Sequence, residues 1–201
     1  MTDWYARVKN FFRTDRGDDL LSPSPMTLPP APETPRRRLV IGVVALAAIS
    51  LAALAGYARQ HADAELALWW SQRRCQATWG AVVQPHGFGR WQQRGAVLDF
   101  FLECDSAADA PSRLTAAVAG YDELACANPQ LATVTLLWMT TPEREAQARR
   151  TLHPRGCLIA TATLAGGRNP AEAVWLPLGT SGPRCRLADL TDPHCWAPDR
   201  E

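Results

Sequence analysis

The stretch PRRRLVIGVVALAAISLAALAGY, residues 35–57, decides what kind of fold to expect, because a long apolar run follows three arginines. From Leu39 to Ala58 the chain carries no charged side chain. A helix of this length, at about 1.5 Å per residue, reaches about 30 Å, the thickness of the hydrocarbon layer of a bilayer. The run therefore predicts a transmembrane helix over residues 39–58.

A secretory signal peptide is the alternative interpretation of the same run. Small residues suit cleavage after Ala58 or Ala64. Signal peptides, however, have an apolar core of about 7–15 residues close to the N-terminus. This run is longer and begins only at Leu39. We therefore expect a retained anchor, with the question of cleavage left open.

The distribution of charge and cysteine predicts the orientation of this anchor. Arg36, Arg37 and Arg38 precede the run, whereas Arg59 alone follows it closely, which places the N-terminus in the cytoplasm. All six cysteines follow the run, as expected if only the C-terminal part meets an oxidising compartment. The sequence thus predicts a single-pass protein of the bacterial inner membrane with a periplasmic C-terminal domain.

The N-terminal arm has two predicted parts. Residues 1–21 contain a short amphipathic helix, which would contact the lipid surface or a partner groove, with a disordered tail as the alternative. Its apolar side comprises Trp4, Val8, Phe11 and Phe12. Residues 22–38 form a proline-rich linker that ends in the arginine cluster. Within the membrane segment, Ala48, Ala52 and Gly56 share a ridge on which another helix is expected to pack.

Beyond the apolar run, residues 59–80 are expected to continue as a juxtamembrane helix. Residues 81–201 are expected to form a small two-layer α/β domain, whose sheet is covered well on one face only. In AVLDFFLEC, residues 96–104, the alternation predicts a half-buried strand with Val97, Asp99, Phe101 and Glu103 pointing outward. Further strands are predicted within 131–139, 157–164 and 173–178, and helices within 112–124 and from Pro142 onward.

The cysteines are candidates for disulfides, because the predicted compartment is oxidising. The local pair Cys185 and Cys195 is favoured, and one or two buried free thiols are the alternative. The other candidates are Cys104, Cys126, Cys157 and Cys75. A metal site from His153, Cys157, His194 and Cys195 is disfavoured, since the spacing matches no zinc pattern.

No motif names a reaction or a cofactor. The chain has no HExxH, no P-loop, no GxSxG and no CxxC, so no catalytic or cofactor-binding residue is assigned. His86 lies in a glycine-rich stretch, QPHGFGRWQQRG, which indicates a loop or a loose hairpin, and a solvated position is expected for this histidine.

The net charge of the chain indicates which binding partners to expect. With 21 basic and 20 acidic residues the chain has a net charge of +1, so it shows no field that would attract nucleic acid. Eight tryptophans favour a large contact surface. The sequence thus predicts a non-enzymatic scaffold subunit of an envelope-spanning pilus, secretion or conjugation complex, whose partners are the bilayer and other membrane proteins. A membrane-tethered periplasmic enzyme or ligand-binding domain is the alternative.

Overall fold

The computed structural model describes residues 35–105, 111–129, 131–163 and 167–197, and within the first helix the side chains from Ala45 onward. Helices and strands alternate along most of this range. In chain order they are α1 (Pro35–Gln60), β1 (Ala64–Ser71), α2 (Gln72–Trp79), β2 (Gly87–Gln93), β3 (Ala96–Cys104), α3 (Pro111–Ala127), β4 (Thr133–Met139), α4 (Pro142–Thr151), β5 (Leu158–Thr163) and β6 (Leu176–Pro177). Two short 3₁₀ turns, Ala188–Thr191 and Pro193–Trp196, follow.

The six strands form one mixed sheet whose spatial order follows the sequence order. β1, β2 and β3 form an antiparallel meander. β4 and β5 continue the sheet in parallel to β3, with α3 and α4 as the crossovers, as the alternation of elements predicts. β6 closes the edge in the antiparallel direction. β3 is therefore the strand at which the antiparallel half meets the parallel half.

The helix α1 packs along one face of the sheet, which we call the first face. Ala47, Ser50 and Leu54 recur at helical spacing and are buried there. The side-chain amide of Asn169 donates a hydrogen bond of 3.1 Å to the carbonyl of Ala53, and the ring of Tyr57 lies 6.0 Å from that of Trp91. The described half of this apolar helix thus covers a protein core.

The predicted transmembrane helix over residues 39–58 is wrong, and so is the single-pass fold class built on it. Among the residues that the structure describes, no helix has both the length and the apolar character needed to cross a bilayer. The error has a physical cause: a helix that is apolar nearly all round suits a buried position in a protein as well as it suits a membrane. Hydropathy alone does not separate the two.

The juxtamembrane helix expected over residues 59–80 is also absent. The first helix ends at Gln60, residues Ala64–Ser71 form the edge strand β1, and a separate short helix spans Gln72–Trp79. The register of β1 against β2 shifts between Leu66 and Leu68, which marks a bulge at Ala67. This bulge breaks the period-two pattern, and the broken pattern resembled a helical one.

The sheet is covered on both faces, so the two-layer expectation is wrong. On the second face, Trp79 of α2 and Tyr121 of α3 pack against Phe101, and α4 continues this layer over β4 and β5. Phe101 and Glu103, expected to point outward to solvent, are therefore buried. The outward prediction holds only for the start of β3, where Val97 is 53% exposed.

The irregular C-terminal segment completes the cover of the first face. Trp175 and Leu187 are fully buried there, in the same cluster as Leu54. The guanidinium of Arg184 pairs with both carboxylate oxygens of Glu145 at 2.7 and 2.9 Å and also donates to the carbonyl of Val174 at 2.6 Å. This ion pair ties the segment to α4 at the edge of the sheet.

Replacing Leu54 by Ala tests the packing of α1. Leu54 is 2% exposed, so Leu54→Ala should lower the free energy of unfolding by about 2–5 kcal/mol. Ile49 lies on the same helix but is 57% exposed, so Ile49→Ala should change it by less than about 0.5 kcal/mol. Urea unfolding followed by tryptophan fluorescence measures both values. Equal effects of the two substitutions would contradict this packing.

Candidate functional site

Polar side chains gather where β3 ends, which is the place where open α/β sheets bind their ligands. β3 carries Glu103 near its carboxyl end, and Asp105 follows the strand directly. His86 precedes β2, the antiparallel neighbour of β3, and its backbone N–H donates to the carbonyl of Leu102 at 2.9 Å. The topology therefore brings these three side chains to one edge of the sheet.

Glu103 is the centre of this cluster, and both of its oxygens are engaged. The hydroxyl of Tyr121, on α3, donates to Oε1 at 2.6 Å. Nδ1 of His86 lies 2.8 Å from Oε2. Glu103 and His86 are 8% and 7% exposed, so the carboxylate is stabilised by these two partners rather than by water.

Two contacts meet at Nδ1 of His86. The backbone N–H of Cys104 also points at Nδ1 of His86, at 3.1 Å, and this contact requires a bare nitrogen. The short contact with Glu103 requires a proton on one of its two atoms, so the two contacts compete for Nδ1. Burial, and then the Glu103 carboxylate, raise the pKa of Tyr121 well above its ordinary value of 10.0, so the phenol remains a donor.

Asp105 is held by an arginine from α4. Nε and Nη2 of Arg144 donate to its two oxygens at 2.8 and 2.6 Å, which is the paired geometry that makes arginine–carboxylate contacts strong. Arg144 is positioned by the first turn of α4, where its backbone N–H donates to the side chain of Thr141. Arg144 therefore balances the negative charge of the Asp105 carboxylate and holds this side chain in position.

Among the residues that the structure describes, the space beside this cluster is too small for a substrate. The cavity beside His86, Glu103 and Asp105 has a volume of about 30 Å³, close to that of one water molecule. Within the described ranges, no three acidic, histidine or cysteine side chains are grouped so as to hold a metal ion. The cluster thus acts in the first place as a buried brace between β2, β3 and α3.

Sequence reasoning missed this cluster. It placed His86 in a solvated loop and Glu103 on an outward face, whereas both are buried. The usable signal was Tyr121, which falls on the inward side of a predicted helix and needs a partner for its hydroxyl. A carboxylate one residue before the end of a strand is such a partner.

The six cysteines, all within the described residues, carry free thiols in this structure. Burial raises the pKa of Cys185 to about 12, and its hydrogen bond with Cys195 adds to the shift, so these two side chains are neighbours. Cys126 and Cys157 line a cavity of about 400 Å³ on the second face. Cys104 is buried on the first face and Cys75 on the second. The disulfides stay a prediction.

Other predicted contact residues also remain untested. Ala48 and Ala52 lie on the exposed side of α1, and Gly56 is half-buried. The proposed N-terminal contact through Trp4, Val8, Phe11 and Phe12 lies outside the described residues, as do all of residues 1–21 and most of the linker 22–38. From this linker, the structure describes only the start of α1 at Pro35.

Removing the central carboxylate tests the brace. Glu103→Ala leaves the histidine and the phenol buried without their partner, and we expect it to lower the free energy of unfolding by about 3–5 kcal/mol. Glu103→Gln keeps an acceptor for Tyr121, so its cost should be smaller. Glu123→Ala, at an exposed position of α3, is the matched control for urea unfolding. The brace is refuted if Glu103→Ala costs no more than Glu123→Ala.

Comparison with known proteins identifies the family but offers no close relative. No curated protein and no solved structure matches the chain. A family model described as Replication-relaxation matches residues 15–137, which is more than half of the 201 residues. In the described part this range runs from α1 into β4, and it includes Glu103, Asp105 and Tyr121. The chain therefore belongs to the Replication-relaxation family.

Proposed function

We propose that this protein acts in the replication of DNA or in its relaxation, as a non-enzymatic protein that associates with nucleic acid. The observation that carries the proposal is the family match over residues 15–137. The buried brace around Glu103 supports the non-enzymatic part.

This family membership corrects the function expected from the sequence. The inner-membrane scaffold subunit of a pilus, secretion or conjugation complex is wrong, as is its membrane-tethered enzyme alternative, because both depended on the span over 39–58. The predicted inner-membrane location with a periplasmic domain is wrong too, because none of the helices that the structure describes could span a bilayer. The family match does not support lipid or membrane proteins as partners. It also does not support the prediction that nucleic acid is excluded as a partner.

The state of the carboxylates favours binding over hydrolysis. An enzyme that cleaves phosphodiesters with acidic side chains needs carboxylate oxygens that can reach a substrate, a water or a metal ion. Glu103 holds Tyr121 and His86, and Asp105 holds Arg144. To free either carboxylate would leave buried partners unsatisfied, which is costly. This edge of the sheet is thus built for stability.

The low net charge shapes how such a protein would contact DNA. A net charge of +1 gives the chain as a whole no attractive field of the kind that strengthens non-specific DNA binding. Association with nucleic acid must then depend on a few local side chains, or on a protein partner already on the DNA. Both routes predict modest affinity and weak dependence on salt.

Crosslinking in cells tests the proposed function. The chain, tagged and expressed at its native level, should recover DNA enriched near origins of replication after formaldehyde crosslinking, immunoprecipitation and sequencing. An untagged strain is the control for background. Recovery equal to that background at every locus would contradict the proposal.

A second assay tests the non-enzymatic part. Supercoiled plasmid incubated with the purified chain and Mg²⁺ or Mn²⁺ should remain supercoiled, because the carboxylates of Glu103 and Asp105 are engaged by other side chains. Relaxed or nicked product that disappears with Glu103→Gln would show that the brace is an active site and would refute this part.

A further inference from the structure

A groove of about 390 Å³ lies at the carboxyl end of α1. The other residues that line it come more than a hundred positions later in the sequence. Tyr57 and His61 form one wall at the end of α1, and Arg168, Glu172 and Arg186 of the C-terminal segment line the rest. The volume falls within the range of small-molecule sites. None of these residues belongs to the brace around Glu103.

The first wall of the groove is a stacked aromatic pair. The rings of Tyr57 and His61 lie 3.9 Å apart with an angle of 20° between their planes. Tyr57 is half-buried against the first face, near Trp91, whereas His61 is exposed at the end of the helix. The fixed tyrosine thus holds a flat ring at the surface.

The second wall, formed by the C-terminal segment, carries two exposed arginines. Neither Arg168 nor Arg186 forms an ion pair with a carboxylate in the described part of the chain, unlike Arg90, Arg94, Arg144 and Arg184. Glu172 lies in the same groove and offsets part of their charge, and Asp189 accepts the backbone N–H of Arg186 at 3.2 Å. The lining itself thus contains two cations and one carboxylate.

Hydrogen bonds hold this wall against α1. Asn169, next to Arg168, donates to the carbonyl of Ala53 and accepts the backbone N–H of Ala171 at 2.9 Å. Leu187, next to Arg186, donates its backbone N–H to Ala171 at 3.3 Å. The backbone next to both arginines is therefore fixed by hydrogen bonds before a ligand binds, and the ordering that remains is that of the two side chains.

We propose that this groove binds a segment of single-stranded nucleic acid, with one base stacked on the Tyr57–His61 pair and the adjoining phosphates on Arg168 and Arg186. Aromatic rings that stack bases, together with cations that follow the backbone, are what single-strand binding requires. A duplex keeps its bases stacked on each other and cannot use the ring. The inference rests on the proposed function and gives it a contact site.

This binding is measured by fluorescence anisotropy. A labelled oligothymidylate of twelve nucleotides is titrated with the full chain. Removing the stacking ring with His61→Ala should weaken binding about tenfold. Arg168→Ala and Arg186→Ala should each weaken it several-fold. Arg150→Ala is the matched control, because Arg150 is exposed on α4, which covers the opposite face, and it should leave binding unchanged. Equal affinity of all four variants and the unaltered chain would overturn the site.

Salt dependence gives a second readout that a general loss of structure would not mimic. Two phosphate contacts to a single strand predict a slope of about −1.4 for the logarithm of the binding constant against that of salt concentration, and one contact about −0.7. Arg168→Ala should therefore halve the slope, whereas His61→Ala should lower affinity at an unchanged slope. The phosphate contacts are refuted if neither Arg168→Ala nor Arg186→Ala changes the slope.

Two competitors define the ligand class. Unlabelled duplex of the same length should compete poorly, and equal competition would overturn the stacking of an unpaired base. Thymidine monophosphate should also compete poorly. If it competes as well as unlabelled oligothymidylate at equal nucleotide concentration, the groove is a mononucleotide site and the proposal of strand binding is overturned.

The outcome separates this inference from the proposed function. If DNA is enriched near origins in cells but the oligothymidylate does not bind, the groove is refuted while the proposed function stands. If the groove binds the oligothymidylate but no DNA is enriched in cells, the proposed function fails and the binding site stands.

Discussion

The packing of α1 on the first face of the sheet is the contact on which the rest of the structure depends. The central strands β3 and β4 are apolar on both faces, so each face needs a cover that excludes water. Leu54 supplies part of that cover, beside the fully buried rings of Trp91 and Trp175. The same contact places Tyr57 against the C-terminal segment, and the groove at the end of the helix exists only because the two meet there.

Two buried carboxylates fix the layers relative to each other. Glu103 links β3 to α3 and to the start of β2, and Glu145 links α4 to β5 and, through Arg184, to the C-terminal segment. Buried charges of this kind are costly unless every oxygen has a partner, and here each does. Their value lies in fixing one arrangement of the layers, and for that reason the polar chemistry available to a ligand lies elsewhere, on exposed arginines and an exposed ring.

Local sequence signals predicted the central elements well. The alternation in residues 96–104 matches β3, and Thr141 followed by Pro142 marks the start of α4, where Thr141 caps the helix as such residues do. Signals that depend on tertiary context failed. An apolar helix has the same sequence pattern whether it lies in a bilayer or in a protein core. The bulge at Ala67 interrupts the alternation that would have predicted β1 as a strand. The groove joins residues more than a hundred positions apart, and no local pattern reveals such a meeting.

Hydrogen exchange of the α1 amides tests the packing of this helix most directly. The full chain, kept in buffer free of detergent and lipid, is followed by exchange and mass spectrometry over residues 50–58 and over β3. If α1 is part of the folded unit, its amides should exchange as slowly as those of β3, because both open only on global unfolding. Fast exchange in α1 beside a protected β3, or protection that appears only when lipid is added, would contradict the account.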